Sequence, residues 1–92
     1  MAILIEPDYS RQEVSPQNGG VFTLDEMYNL LNCGMIQIVP LENGRFLVCD
    51  EEGKLKPHRM NPFATVLLQR AGGMPDDYIA GNALIVDTTE IE

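Results

Sequence analysis

The Asn43-Gly44 pair lies between two apolar segments and constrains the fold more than any other feature of this sequence. Residues 35–41 and 45–50 both have the short, apolar and β-branched character of strands. Asparagine and glycine tolerate the positive φ angles that a two-residue type I′ turn requires. The sequence therefore predicts a tight β-hairpin with Asn43 and Gly44 as its whole loop.

The register of this hairpin decides which side chains share a face of the sheet. A two-residue loop pairs Leu41 with Phe46 and, further along, Val39 with Val48 on one face and Ile38 with Cys49 on the other. Both faces of the hairpin are then apolar. Because two short helices cover about one face of a small sheet, the second face needs another cover, either the long loop after the first strand or a second subunit in a homodimer.

Two capping patterns predict the helices. Thr23-Leu24-Asp25-Glu26 is a capping box, so a helix is expected to start there and to stop at Gly34, which can adopt a left-handed conformation. Asn61-Pro62 places a capping residue before a proline at the first position of a second helix, which ends before Ala71-Gly72-Gly73. The second helix has helical spacing at Phe63, Val66, Leu67 and Arg70.

The remaining segments are short strands and loops. They are a first strand at residues 2–5, a loop at 7–20 with room for a brief strand around Val14, a return strand at 55–57, a last strand at 83–87 and a frayed tail at 88–92. The order is β-α-β-β-α-β. We therefore predict one α+β domain over residues 1–92, with a small mixed or antiparallel sheet and two short helices packed on one face.

The charge balance narrows the classes of partner. Fourteen acidic and six basic residues give a formal net charge of −8, which repels phosphate backbones and anionic lipid surfaces. Direct binding of nucleic acid or membrane is not expected. With 45% hydrophobic residues the chain can bury a core, and its short apolar runs, without a basic segment and an apolar segment at the start, predict a cytoplasmic protein.

No motif predicts catalysis or a metal site. His58 is the only histidine, and the sequence shows no orienting partner that would make it a general base. The acidic run at residues 50–52 lacks the ligand spacing of an EF-hand loop. Cys33 and Cys49 have no C-x-x-C spacing, so we expect two free thiols, with Cys49 buried in a strand. We expect no enzyme, no metal and no cofactor.

Residues 50–61 form the most unusual segment, which we call the connector. Three acidic residues precede three basic side chains and a histidine, between two predicted elements. Functional residues concentrate on connectors that rigid elements hold in place, although a plain solvated loop is the alternative. We predict a weak ligand-binding or partner-binding surface formed by Glu51, Glu52, Lys54, Lys56, His58, Arg59 and Asn61.

Four segments resemble a family of small domains of unknown function that occurs in bacteria, including cyanobacteria, and in phages and plasmids. They are Phe22-Thr23-Leu24-Asp25-Glu26-Met27, Glu51-Glu52-Gly53-Lys54-Leu55-Lys56, Asn61-Pro62-Phe63-Ala64-Thr65 and Gly81-Asn82-Ala83-Leu84-Ile85-Val86. The resemblance covers residues 3–86 and implies a fold without naming catalytic residues. The chain departs from the family pattern at Asn32-Cys33-Gly34 and at Gly81-Asn82, where Gly-Asp is expected, so no role for an acidic residue at position 82 carries over.

Two classes of function fit these features. The first is a non-enzymatic protein-interaction module of bacterial or mobile-element biology, which binds a protein partner or itself. In one version of it, the acidic surface mimics nucleic acid and occupies a basic site on another protein. The alternative is a small domain that binds an anionic ligand with the basic side chains of the connector, near the amino-terminal end of the second helix.

Overall fold

The computed structural model describes residues 2–17 and 19–91 of the chain. In chain order the elements are β1 (Ala2–Ile5), β2 (Arg11–Val14), α1 (Leu24–Leu31), β3 (Ile36–Pro40), β4 (Arg45–Asp50), a 3-10 helix (Gly53–Leu55), α2 (Pro62–Arg70), β5 (Ala83–Asp87) and a second 3-10 helix (Thr88–Glu90). Within the described residues, five strands form one antiparallel sheet in the order β2-β1-β5-β4-β3. The prediction of an α+β fold is confirmed.

The last strand of the chain occupies the centre of the sheet. β5 pairs with β1 on one side and with β4 on the other, and its residues 83–86 are all buried. Successive side chains of a strand point to opposite faces. A fully buried run on β5 therefore means that both faces of the sheet are covered.

The two helices cover opposite faces of the sheet, so the prediction that both pack on one face is wrong. On the first face, Met27 and Leu31 of α1 pack with Leu4, Val48, Leu84 and Val86. On the second face, Ala64 and Leu68 of α2 pack with Ile5, Leu47, Cys49 and Ile85. The sheet is apolar on both sides, as expected, but one helix covers each side. The second face therefore requires neither the long loop nor a second subunit.

The central hairpin has a three-residue loop, which corrects the predicted register by one position. The backbone N–H of Leu41 donates to the carbonyl oxygen of Arg45 at 2.8 Å, so residues 42–44 form the loop. Val39 consequently lies opposite Leu47, not opposite Val48. The Asn-Gly pair does adopt positive φ angles, of 63° and 69°. Burial explains the register, because it places Val39 and Leu47 together on the face that α2 covers.

Both predicted helix starts are confirmed, whereas two local predictions are wrong. The capping box at Thr23 begins α1, and Asn61, followed by Pro62 at the first helical position, begins α2. Helix α1 ends at Asn32, which itself adopts the left-handed conformation at φ 53°, so Gly34 is not its cap. The predicted return strand at residues 55–57 is absent among the described residues, where a 3-10 helix at residues 53–55 takes its place.

The brief strand around Val14 is confirmed as β2, whereas the predicted frayed tail is wrong for residues 88–91. The backbone N–H of Phe22 donates to the carbonyl oxygen of Glu90 at 2.6 Å, and Ile91 forms a parallel bridge with Phe22. Residues 18 and 92, which belong to the predicted loop and tail, lie outside the described residues. Neither helix in the described part has the length and hydropathy that crossing a membrane requires.

Candidate functional site

Asp50 is the most buried acidic residue of the connector. It ends β4 with a side chain that is 1% exposed, and its carboxylate accepts hydrogen bonds from Nζ of Lys56 at 2.8 Å and from the backbone N–H of Glu52 at 2.9 Å. Burial raises the pKa of this carboxyl, but the two hydrogen bonds and the lysine charge outweigh burial, and the pKa of Asp50 lies below its ordinary value. The connector is therefore built on an ion pair between a buried carboxylate and a half-buried lysine.

His58 lies beside the same carboxylate. Its Nε2 is 3.5 Å from Oδ2 of Asp50 and is buried without a hydrogen-bond partner among the residues described. The ring also packs against Gly81, where an added Cβ would lie 3.2 Å from two ring atoms. His58 and Arg59 together line an open cleft of about 270 Å³.

Lys54 is bound to a different part of the chain. Its Nζ forms an ion pair with Asp77, in the loop between α2 and β5, and lies 4.9 Å from the ring centroid of Tyr78. The hydrogen bond to Asp77 raises the pKa of Lys54 and lowers that of Asp77. Lys54 and Lys56 are thus held by two separate carboxylates.

Asn61 connects α2 to the sheet and has little capacity left for a ligand. The residue is fully buried. Its Nδ2 donates to the carbonyl oxygens of Ile5 at 3.1 Å and Gly81 at 2.9 Å, while its Oδ1 accepts from the backbone N–H of Ala64 at 3.2 Å. These bonds use both amide donors and the amide oxygen. The role of Asn61 in this structure is to cap α2 and fix it to β1.

The seven predicted residues of the connector do not form one site. Glu51 and Glu52 are exposed, and within residues 2–17 and 19–91 their carboxylates form no ion pair. The two lysines are held by different acids, and Asn61 is buried beneath α2. The structure brings His58 and Arg59 to one open cleft, and Glu51 and Lys54 to a second, smaller one beside Asp77.

The thiol groups lack the environment of a nucleophile. The structure confirms two free cysteines and the burial of Cys49. Burial, followed by the charge of Asp50, raises the pKa of Cys33, and the same two causes raise the pKa of Cys49 to about 11. A cysteine attacks as its thiolate, so a raised pKa opposes reactivity. The described residues also contain no group of three or more His, Cys, Asp or Glu side chains that could hold a metal ion.

A second surface, the α2 groove, runs along α2 and reaches the loop of the central hairpin. It consists of two adjoining clefts of about 270 and 400 Å³ that share Leu67 and Arg70. The first cleft is mostly apolar and lies along the helix, and the second lies at the hairpin. The first cleft contributes Tyr9, Phe63, Val66, Leu67 and Arg70 to the α2 groove, and the second adds Leu41, Glu42 and Arg45.

Tyr9 borders this groove in an unusual backbone conformation. Its φ is 71°, in the turn between β1 and β2, where its N–H donates to the carbonyl oxygen of Glu6 at 3.0 Å. A left-handed conformation costs a bulky residue about 1–2 kcal/mol. Burial does little to offset this cost, because Tyr9 is 64% exposed. The turn therefore holds an aromatic ring at the surface in a strained conformation.

The groove also carries arginines that are not neutralised by acids. The guanidinium of Arg11 lies 4.5 Å from the ring centroid of Phe63, at the edge of the groove. Arg45 and Arg70 line the groove and form no ion pair within 4.0 Å among the residues described. Glu42 is the acidic residue of the same lining. The lining of the second cleft thus contains two basic residues and one acidic residue, although the chain as a whole is acidic.

A comparison with protein families identifies the chain at the family level. The family model described as "Domain of unknown function (DUF3846)" matches residues 1–92. The chain belongs to the DUF3846 family. Neither the curated proteins nor the solved structures contain a significant match.

Membership of DUF3846 confirms the expected relation to a domain of unknown function. The occurrence of such domains in bacteria, phages and plasmids stays a prediction, and so does the expectation that this DUF3846 domain is not an enzyme. What its geometry offers chemically is an open apolar groove with unpaired guanidinium groups, together with a connector whose lysines are already bound internally.

Sequence reasoning missed the α2 groove of this DUF3846 domain, although one signal was present. The segment 62–68 has more apolar residues than one helical face can bury. In the structure Ala64 and Leu68 are buried, whereas Val66 remains 48% exposed. The excess of apolar residues in this segment is the signal that indicates an unburied apolar face on α2. Nothing in the sequence indicated that Tyr9, more than fifty positions away, would lie beside it.

Proposed function

We propose that this DUF3846 protein is a non-enzymatic protein-interaction module that binds its partner through the α2 groove. The observation that carries this proposal is the exposed apolar lining of the groove, with Tyr9 and Val66 at 64% and 48% exposure. Apolar side chains grouped in a groove between polar residues are typical of protein-binding surfaces. The proposed setting is the cytoplasm, which the short apolar runs of the sequence predict. Its placement in bacteria, phages and plasmids depends on the family resemblance.

An aromatic ring and neighbouring arginines are the side chains that dominate binding energy in protein interfaces. The α2 groove has both, because Tyr9 and Arg70 line the same cleft. The positive φ of Tyr9 supports the proposal further, since strained residues cluster at functional sites.

The alternative of an anionic ligand at the connector has less support. Lys54 and Lys56 would have to leave Asp77 and Asp50 before they could bind an anion. His58 and Arg59 alone remain at the cleft near Asn82, and an exposed arginine by itself gives little affinity. Mimicry of nucleic acid by the acidic surface is a further version of partner binding, and it predicts binding that weakens steeply with salt.

The proposal is tested with two matched substitutions on opposite faces of the sheet. Val66→Glu places a charge in the α2 groove, and Leu24→Glu places the same charge at a position of similar exposure, 53%, on α1. Each purified variant and the wild-type protein are used to capture proteins from extracts of the source organism, and the captured protein is then purified and titrated directly. A partner that binds the wild type and Leu24→Glu but loses at least about tenfold affinity for Val66→Glu supports the proposal.

The opposite pattern would contradict it. If every directly confirmed partner binds Val66→Glu as tightly as the wild type, the α2 groove is not the interaction surface. If anionic metabolites raise the melting temperature and Arg59→Glu removes that effect, ligand binding at the connector replaces protein binding as the leading function.

A further inference from the structure

We infer that the α2 groove recognises a protein segment in which a large apolar side chain stands next to carboxylates. The inference rests on the proposed function and names the chemistry of the partner. Its basis is the combination, in one groove, of an apolar floor with two guanidinium groups that no carboxylate neutralises among the described residues.

The distribution of the basic residues points to acidic groups on the partner. Of the six basic side chains in the chain, the two lysines are bound to internal carboxylates and Arg11 lies over the ring of Phe63. The other three form no ion pair among the described residues: Arg59 stands alone at the connector cleft, whereas Arg45 and Arg70 both line the groove. Arginine binds carboxylates in a planar, two-pronged geometry, so carboxylates are the matching groups.

The net charge of −8 does not prevent this recognition. Charges on the surface are screened over about 8 Å at physiological ionic strength, so a carboxylate in the groove interacts chiefly with the groups next to it. The lining of the second cleft supplies Arg45, Arg70 and one acidic residue, Glu42, and Asp87 lies opposite Arg45 in the β4–β5 ladder. Arg70 is the one charged residue in the lining of the first cleft, so a carboxylate bound there meets its guanidinium first.

The place of Arg70 in the fold favours a peptide segment over a free anion. Arg70 is the last residue of α2, and the carbonyl groups at a helix C-terminus carry partial negative charge that weakens the binding of any anion there, so a free anion would gain little. An apolar side chain bound along Phe63 and Val66 would supply the affinity that the arginines alone cannot. The carboxylates would then set orientation and specificity.

Tyr9 completes the inferred binding surface. Its ring stands at the apolar part of the groove, opposite the end at which Arg45 and the hairpin loop lie. An apolar side chain of the partner would contact Tyr9 and Val66, and a nearby carboxylate would reach Arg70, which belongs to both clefts.

The test uses a displayed library of random linear peptides, selected on the intact wild-type protein. We expect enrichment of sequences in which an aromatic or large aliphatic residue lies within a few positions of Asp or Glu. A synthetic copy of an enriched peptide is then titrated against the wild type, Arg70→Glu and Arg59→Glu. The two variants change the charge equally, but Arg59 lies at the connector cleft and not in the groove.

Arg70→Glu should weaken the enriched peptide by about tenfold and Arg59→Glu by less than about twofold, since exposed ion pairs act over short distances. Selection of basic or uncharged peptides, no enrichment at all, or equal effects of both variants would overturn the inference. Both arginines are exposed, so neither variant should impair folding, which a thermal melt checks. If one of these overturning results is obtained while Val66→Glu still abolishes binding of a captured partner, the proposed function stands. Only the recognition of acidic groups then fails.

Discussion

Asp50 is a single buried residue through which the connector contributes to the stability of the fold. Its carboxylate is held by Lys56 and by the backbone of Glu52, and its pKa lies below the ordinary value. The sequence suggested that the acidic run was solvated. The burial of its first member depends on the packing of β4 against the neighbouring elements, which no local pattern of charges reveals.

The lowered pKa of Asp50 predicts a defined dependence of stability on acid. A carboxyl with a lower pKa in the folded than in the unfolded state stabilises the fold above its unfolded pKa, and this contribution is lost as the pH falls through the folded pKa. Unfolding of wild type and Asp50→Asn should be measured by urea titration from about pH 7 to about pH 3. As the pH falls, the free energy of unfolding should decrease more steeply for the wild type than for Asp50→Asn. Equal slopes against pH would show that the Asp50 carboxylate does not stabilise the fold.

Tyr9 provides a prediction that separates stability from binding. Glycine adopts a φ of 71° without the strain that tyrosine suffers. We therefore expect Tyr9→Gly to retain or increase the free energy of unfolding, by up to about 1 kcal/mol, while it weakens partner binding. Urea denaturation and titration with the partner measure the two effects. A variant that loses stability and binds normally would show that Tyr9 serves the fold and not the groove.

At the scale of elements, local signals identified most strands and helices but not their mutual arrangement. Capping at Thr23 and Asn61 fixes where the helices start because each cap satisfies backbone groups within its own helix. The hairpin register was missed because a two-residue and a three-residue loop both accommodate Asn43 and Gly44 at positive φ. The choice between them depends on the burial of Leu47, a tertiary effect.

The 3-10 helix at residues 53–55 makes a testable contact with the loop before β5. A Cβ added at Gly53 would lie 2.6 Å from the backbone oxygen of Ala80, which cannot move freely. Gly53→Ala should lower the free energy of unfolding by about 1–3 kcal/mol, as overpacking does. At Gly34 an added Cβ meets no atom within 4 Å, so Gly34→Ala is the matched control, with an expected change within about 0.5 kcal/mol. Equal stability of the two variants in urea would refute the contact.

At the scale of the whole molecule, the placement of one helix on each face changes the expected association state. Homodimerisation was one of two predicted ways to cover a second face of the sheet, and both faces are covered by α1 and α2. We therefore expect a monomer of 10.2 kDa in light scattering at high concentration. A concentration-dependent dimer that Val66→Glu dissociates would instead mean that the α2 groove binds a second copy of the chain.

The α2 groove was the part of the molecule that the sequence predicted least. Connector residues stand out in the sequence because their charges are clustered, yet two of them serve internal ion pairs and Asn61 serves a helix cap. The groove is formed by residues from the β1–β2 turn, the central hairpin and α2. Such a surface exists only after folding, so composition and spacing could not predict it.

Binding at the α2 groove can be mapped from the backbone amide chemical shifts during titration with a peptide selected on the wild-type protein. We predict that the shifts change at Tyr9, along α2 and at residues 41–45 of the hairpin, while α1 on the opposite face remains unchanged. Changes confined to the connector or to α1 would contradict the assignment of the α2 groove as the binding surface.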